Sequence, residues 1–222
     1  MSVFPQKPAD RGSQKWIQQA VAKPWRSLND PILQHCRAES IEWLSPLATE
    51  AYAEYRDEAF LERLGRADLT KSLEEFWPRH GPQWDALGTT NTGDLLLVEA
   101  KAHVEEMCSP GTGAAAASKE RIKARLDEVG ASLGARDARA AWSDVFYQLA
   151  NRLAHLSFLI EQGASAYLVL VNFVNDPTMQ RPTSVEAWRA AYAVAFHAMG
   201  LPKKHRLSPY IIEVFPDVTA PT

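Results

Sequence analysis

Two kinds of apolar pattern alternate along the second half of this chain. Residues 95–98 and 165–174 contain continuous apolar runs bounded by turn residues or charges, which is typical of strands buried on both faces. Between them, residues 140–162 carry apolar side chains at helical spacing. The order of strand, helix and strand predicts an α/β fold in which residues 140–162 form the crossover between two parallel strands.

The first half of the chain contains one clear helical pattern, at residues 49–64. Thr49 is a suitable N-cap and Gly65 a suitable residue to end the helix. One face of this predicted helix carries a glutamate at every fourth position: Glu50, Glu54 and Glu58. This face is either a solvated acidic surface or the source of a functional carboxylate, and in the second case Glu58 is the candidate.

Residues 84–101 predict a β-hairpin that ends in charged residues. Its second strand runs from an apolar stretch directly into Glu99 and Lys101, which share one face because side chains alternate along a strand. In a hairpin that turns about Asn91, Asp85 lies opposite Leu97 and diagonal to Glu99, on that same face. Two carboxylates so placed can share one divalent cation. The non-functional alternative is that Lys101 forms a structural salt bridge at the rim of the sheet.

This arrangement of Asp85 followed by Glu99-Ala100-Lys101 resembles the core motif of the PD-(D/E)XK nuclease superfamily. The chain departs from the pattern in having Trp84, and not proline, before the aspartate. The resemblance implies a restriction endonuclease-like core, with a central mixed β-sheet of about four to five strands flanked by helices and extra N-terminal helices.

The same resemblance implies an activity, a metal and a substrate class. Asp85, Glu99 and the carbonyl of Ala100 are expected to bind Mg²⁺, for which Mn²⁺ can substitute, and Lys101 to assist the attacking water. The expected reaction is hydrolysis of phosphodiester bonds in nucleic acid, with DNA favoured over RNA. A homodimer is possible because restriction enzymes of this fold are often dimers.

Two further positions are candidates for the site. Glu58 would complete the acidic cluster by its position on the preceding helix, with Glu74 and Glu75 as rivals. Gln148, together with Tyr147 and Asn151, would reach the catalytic face from the predicted helix at residues 140–162. The alternative for these polar residues is a solvated or structural role.

A second function class stays open beside the nuclease. The chain could be a catalytically inactive nuclease-fold module for binding or assembly. Such a module would work through the loop at residues 104–118 and the basic helix at residues 118–129. The competing interpretation of that helix is a solvated charged face, since its basic residues are balanced by acidic ones.

Composition adds bounds to these expectations. The chain has 222 residues and a net charge of −3, which predicts one domain over residues 1–222, with loose tails at 1–13 and 217–222, and gives no global signature of a nucleic-acid binder. The two cysteines lack metal-ligand spacing and no histidine pair is suitably spaced for zinc. With no apolar leader and no membrane-spanning run, a cytoplasmic location is expected.

Overall fold

The computed structural model describes residues 2–23, 25–136, 139–179 and 183–220. Within these ranges the protein is an α/β structure with a mixed five-stranded sheet flanked by helices. A separate pair of short strands joins β1 (Val3–Phe4) to β3 (Glu54–Tyr55). In spatial order the large sheet contains β2 (Ile41–Ser45), β4 (Ala86–Thr90), β5 (Leu95–Lys101), β6 (Ala166–Asn172) and β7 (Ile211–Val214). The pairs β2–β4 and β4–β5 are antiparallel, and β5–β6 and β6–β7 are parallel.

Helices cover both faces of this sheet. They are α1 (Gly12–Ala22), α2 (Arg26–Cys36), α3 (Asp57–Arg63), α4 (Thr70–Phe76), α5 (Ala116–Ser132), α6 (Arg139–Ser143), α7 (Tyr147–Glu161) and α8 (Val185–Ala198). Short 3-10 turns occur at Ala48–Glu50, Ala67–Leu69, Val104–Met107 and Ser208–Tyr210. α1 and α2 pack on one face and the remaining helices contribute to the core on the other. No helix among the described residues is long and apolar enough to cross a lipid bilayer.

Strand β5 is buried on both faces, which explains why its apolar run is continuous. Leu95 and Leu97 belong to the core shared with α7, whereas Leu96 and Val98 belong to the core shared with α1 and α2. Both faces are therefore dry, and alternation would have placed polar side chains in one of the two cores. Glu99 continues the face of Leu97, so the strand delivers a carboxylate beneath α7.

The predicted helix at residues 49–64 is wrong in its first half. The backbone has positive φ at Ala51 (51°) and Tyr52 (49°), which the interior of a helix cannot accommodate. Residues 54–55 instead form β3, and the carbonyl of Tyr55 accepts a hydrogen bond from the N–H of Trp84. Pairing with distant strands overrides the local helical spacing, and the helix α3 begins at residue 57.

The prediction of a loose tail at residues 1–13 is also wrong over the part that the structure describes. β1 pairs with β3, and the Ser2 carbonyl accepts a 2.9 Å hydrogen bond from the N–H of Arg56. At the other end the N–H of Val218 donates to the carbonyl of Val174 at 3.2 Å. Residues 221–222 of the second predicted tail lie outside the described residues.

The predicted helix at residues 140–162 is interrupted. It is divided into α6 and α7, and residues 144–146 lie between them. The division matters for the site because α7 then begins at Tyr147, so Gln148 lies in its first turn. The side chains of α7 from residue 149 to 159 are all buried, which makes this helix the central packing element on its face of the sheet.

Candidate active site

Asp85 lies opposite Glu99 where β4 and β5 meet. Leu87 pairs with Leu97, so the residue two positions before Leu87 faces the residue two positions after Leu97. The N–H of Asp85 donates to the Val98 carbonyl at 3.2 Å, which continues the ladder to this point. The predicted register, with Asp85 opposite Leu97, is wrong by two residues. A shift of two preserves the face, so the carboxylates still meet.

The turn between the strands fixes this register. Gly93 has a φ of 86°, and the N–H of Thr90 donates to the Asp94 carbonyl at 3.0 Å. The Asp94 carboxylate accepts hydroxyl hydrogen bonds from Thr90 (2.9 Å), Thr92 (2.6 Å) and Ser165 (2.5 Å). Burial alone would raise the pKa of Asp94, but these three donors outweigh it and lower the pKa. The turn is therefore closed about residues 91–93 and anchored to the segment that enters β6.

Asp85 is a half-buried carboxylate with an excess of negative charge around it. Its Oδ2 accepts a 2.7 Å hydrogen bond from the N–H of Ala100. Burial raises the pKa of Asp85 well above its ordinary value, and the charges of Glu99 and Glu54 raise it further, while Arg152 opposes them. A cation beside this carboxylate would relieve the same repulsion and keep it ionised.

Glu99 is in the opposite situation, since both of its oxygens are paired with cations. Oε1 lies 2.7 Å from Nζ of Lys101, and Oε2 lies 2.6 Å from Nη2 and 2.7 Å from Nε of Arg152. The side chains of Glu99 and Arg152 are only 3% and 4% exposed. Burial alone would raise the pKa of Glu99, but Arg152 and Lys101 outweigh it, so the pKa is lowered and the group is a stable carboxylate.

Gln148, a candidate from the sequence, lies next to Lys101. Its Oε1 accepts a 2.7 Å hydrogen bond from Nζ of Lys101, and its backbone N–H donates to the hydroxyl of Ser109 at 3.3 Å. Tyr147 and Asn151 also line the cleft, and Asn151 Oδ1 accepts from Nη1 of Arg152 at 2.9 Å. The first turns of α7 therefore form one wall of the site.

The third acidic residue is Glu54 and not Glu58. Glu58 accepts a 2.8 Å hydrogen bond from the Ser2 hydroxyl and faces a separate small pocket. Glu54 lines the same cleft as Asp85, and its carboxylate accepts from the amides of Gln83 (2.5 Å) and Gln14 (3.4 Å). Burial is the main cause of its raised pKa. The four-residue spacing in the sequence includes Glu54. The predicted helix, however, led to Glu58 as the candidate.

The two rival glutamates are not at the site. Glu74 and Glu75 are exposed on α4, and their backbone carbonyls accept hydrogen bonds from Arg121 of α5. Arg125 donates to the Phe76 carbonyl at 3.1 Å and lies over the Phe76 ring at 4.7 Å. Two basic residues of the predicted interaction helix thus attach α5 to the end of α4. Their positions support a structural role for much of that charge.

The candidate site contains an open cleft of about 460 Å³. Its lining includes residues 80–83, Cys108–Pro110 and the start of α7. The segment at 108–110 belongs to the loop at residues 104–118, through which the alternative binding module was expected to work. Glu54, Asp85, Gln148 and Arg152 line the cleft itself. A ligand entering the cleft would therefore meet the carboxylates of Glu54 and Asp85, whereas Glu99 is buried and does not line the cleft.

The donor set fits a hard divalent cation by ligand type. Asp85 offers the oxygen that Ala100 does not occupy, and the Ala100 carbonyl points to the same neighbouring strand as its N–H, towards Asp85. Glu99 fits as a ligand only if it exchanges one of its cationic partners. Within the described ranges, no group of three or more His, Cys, Asp or Glu side chains is arranged to hold a metal ion. The fit therefore depends on two carboxylates and a carbonyl.

Comparison with known proteins gave no matching family model, curated protein or solved structure. The chemistry of the site must therefore be inferred from its own geometry. Three features bear on it: a repelled carboxylate at Asp85, an ionised carboxylate at Glu99, and an ammonium at Lys101 that is oriented by two acceptors.

Proposed function

We propose that this protein is a metal-dependent phosphodiesterase that acts on nucleic acid, with a restriction endonuclease-like core of the PD-(D/E)XK type. The observation that carries the proposal is the convergence of Asp85, Glu99 and Lys101 on one face of the sheet, with Asp85 lining a cleft. A carboxylate and a lysine at the end of a doubly buried strand, opposite a second carboxylate, are costly for folding alone. Asp85 lines the cleft, and the buried Glu99 and Lys101 lie on the same face of the sheet, which supports a chemical role.

Asp85, Glu99 and the Ala100 carbonyl would hold Mg²⁺, or Mn²⁺ in its place. When bound, the cation would neutralise charge on the scissile phosphate and favour ionisation of a bound water. Such sites borrow further oxygen ligands from water and substrate phosphate, which accounts for the small number of protein ligands.

Lys101 is prepared for a role at the attacking water. An ammonium has three N–H donors, and two of these are directed at Glu99 and Gln148. In this proposal the third is available to a water or a phosphate oxygen that enters beside Gln148, which lines the cleft. Lys101 is 8% exposed, so its charge acts in a poorly screened environment. In this proposal it orients the nucleophile and stabilises the charge that develops on phosphorus oxygens.

DNA is the substrate that we propose first, with cleavage by a monomer or a homodimer. The decisive experiment is a cleavage assay on single- and double-stranded DNA and RNA with Mg²⁺, Mn²⁺ or EDTA. Asp85→Asn, Glu99→Gln and Lys101→Ala should each abolish a metal-dependent activity. Glu120→Gln, on the exposed face of α5, is the matched control and should cleave normally. Cleavage that persists in the three site variants would contradict the proposal.

A second candidate is the inactive binding or assembly module. The observation that favours it is the complete pairing of Glu99 with Lys101 and Arg152, which can serve as a purely structural network. Such a module would bind no Mn²⁺ at this cleft. Calorimetric titration of Mn²⁺ into the wild type and Asp85→Asn separates the two functions, because the phosphodiesterase requires binding that Asp85→Asn loses.

A further inference from the structure

Arg152 is the most fully bonded cation of the cleft. Besides its contacts with Glu99, its Nη2 donates to the Gln83 carbonyl at 2.7 Å and its Nη1 to Asn151 at 2.9 Å. The guanidinium lies over the ring of Trp84, 4.8 Å from the ring centre. These contacts hold the guanidinium in the wall of the cleft. It lies beside Glu99, the second carboxylate of the proposed metal site.

The contacts of Arg152 distribute charge unevenly between the two carboxylates. Glu99 has two cationic partners, whereas Asp85 is hydrogen-bonded to a backbone N–H and has no ion pair with any described residue. A divalent cation placed between them would satisfy Asp85 but would meet Arg152 at Oε2 of Glu99. Two cations at one buried oxygen repel strongly because few solvent dipoles screen them.

We propose that Arg152 and the metal ion compete for Glu99. Without metal, Arg152 is the counter-ion that holds Glu99 in place, and cation binding at Asp85 and Glu99 requires its Nε and Nη2 to leave Oε2. Arg152 is thus a positioning residue that lowers metal affinity in the resting protein. The inference rests on the proposed function, because it takes Glu99 to be a metal ligand.

Reciprocity gives the inference its test, since a cation weakens the Arg152–Glu99 pair by the same factor that the pair weakens cation binding. The experiment is calorimetric titration of Mn²⁺ into the full chain after EDTA treatment and dialysis. Arg152→Gln removes the competitor, and Arg152→Lys keeps a positive charge but cannot repeat the two-nitrogen contact. Arg26→Gln is the control for net charge, because the Arg26 side chain on α2 is 85% exposed.

We expect Mn²⁺ affinity to rise about twentyfold in Arg152→Gln and about fivefold in Arg152→Lys, within the usual range of coupling between two binding events. Arg26→Gln should bind as the wild type does. If Arg152→Gln does not fold, as judged by circular dichroism, Arg152→Lys carries the test because it keeps a positive charge beside Glu99.

Three results would overturn the inference, and they differ in what they say of the proposed function. Wild-type binding with no gain in either Arg152 variant removes the competition and leaves the metal site intact. A gain in Arg152→Gln with Arg152→Lys equal to the wild type assigns the effect to general charge. No Mn²⁺ binding in any variant removes both the competition and the metal-dependent function.

Discussion

A 2.7 Å hydrogen bond joins Nζ of Lys101 to Oε1 of Gln148. The two residues are 47 positions apart and belong to a central strand and to the helix that covers it. Because Glu99 accepts a second bond from the same ammonium at 2.7 Å, the direction of the remaining N–H is determined by these two acceptors. The orientation of Lys101 therefore depends on α7 as much as on β5.

Replacing Gln148 with alanine should reduce turnover without weakening substrate binding. Loss of one acceptor leaves Lys101 charged but free to rotate, so we expect kcat to fall about tenfold to a hundredfold, with KM changed little. Steady-state kinetics on a cleavable oligonucleotide would measure both constants. Gln162→Ala, at the exposed position that follows α7, is the control. An increase in KM at constant kcat would assign Gln148 to substrate binding instead.

Asp85 and Glu99 should respond oppositely to neutral substitution. Asp85→Asn removes a repelled charge and should raise the free energy of unfolding by about 1 kcal/mol while abolishing activity. Glu99→Gln leaves Arg152 buried without its carboxylate and should lower that free energy by about 3 kcal/mol. Urea denaturation in EDTA measures both changes. Equal signs for the two variants would contradict the charge distribution described for this cleft.

The part of the site that follows from local strand geometry could be predicted from the sequence. Glu99 and Lys101 share a face because their spacing is even, and that relation holds whatever the turn does. The exact partner of Asp85 could not be fixed in the same way. It depends on how the side chain of Asp94 closes the turn with hydroxyl groups, one of which comes from Ser165, far along the chain.

The residues missed by sequence reasoning are those placed by long-range pairing. Glu54 enters the cleft because residues 54–55 pair with β1, and the local pattern predicted a helix there. Arg152 follows Gln148 by four residues, so helical spacing puts both on one face. Spacing does not determine whether that guanidinium points to solvent or to Glu99. Only the docking of α7 on β5 decides this.

The basic residues of α5 should divide into structural and exposed ones. Arg125→Ala removes a hydrogen bond to the Phe76 carbonyl and the stacking on its ring, and should lower the free energy of unfolding by about 1–2 kcal/mol. Lys123→Ala, exposed on the same helix, should change it by less than about 0.5 kcal/mol. Thermal unfolding compares the two variants directly. Equal stability would show that α5 does not depend on this contact.

His155 should make the protein sensitive to mild acid. Its side chain is buried against the rings of Phe60, Phe76, Trp77 and Trp84, and its Nδ1 lies 2.9 Å from the Asn151 carbonyl. Burial is the main cause that lowers the pKa of His155 from 6.5 to about 3. Between these two pH values, His155 binds a proton in the unfolded chain but not in the folded protein. The free energy of unfolding contributed by this group therefore falls as pH falls below 6.5, by about 1.4 kcal/mol per pH unit.

The variant His155→Gln should remove this dependence, because its side chain does not titrate. Urea denaturation of both proteins between pH 4.5 and 7.5, at about half-unit intervals, gives the difference in free energy of unfolding at each pH. Carboxylates contribute to both curves and cancel in that difference, so a slope confined to the region below pH 6.5 isolates His155. His197→Gln, exposed on α8, should run parallel to the wild type. A constant difference between the wild type and His155→Gln would mean that the buried ring accepts its proton without loss of stability.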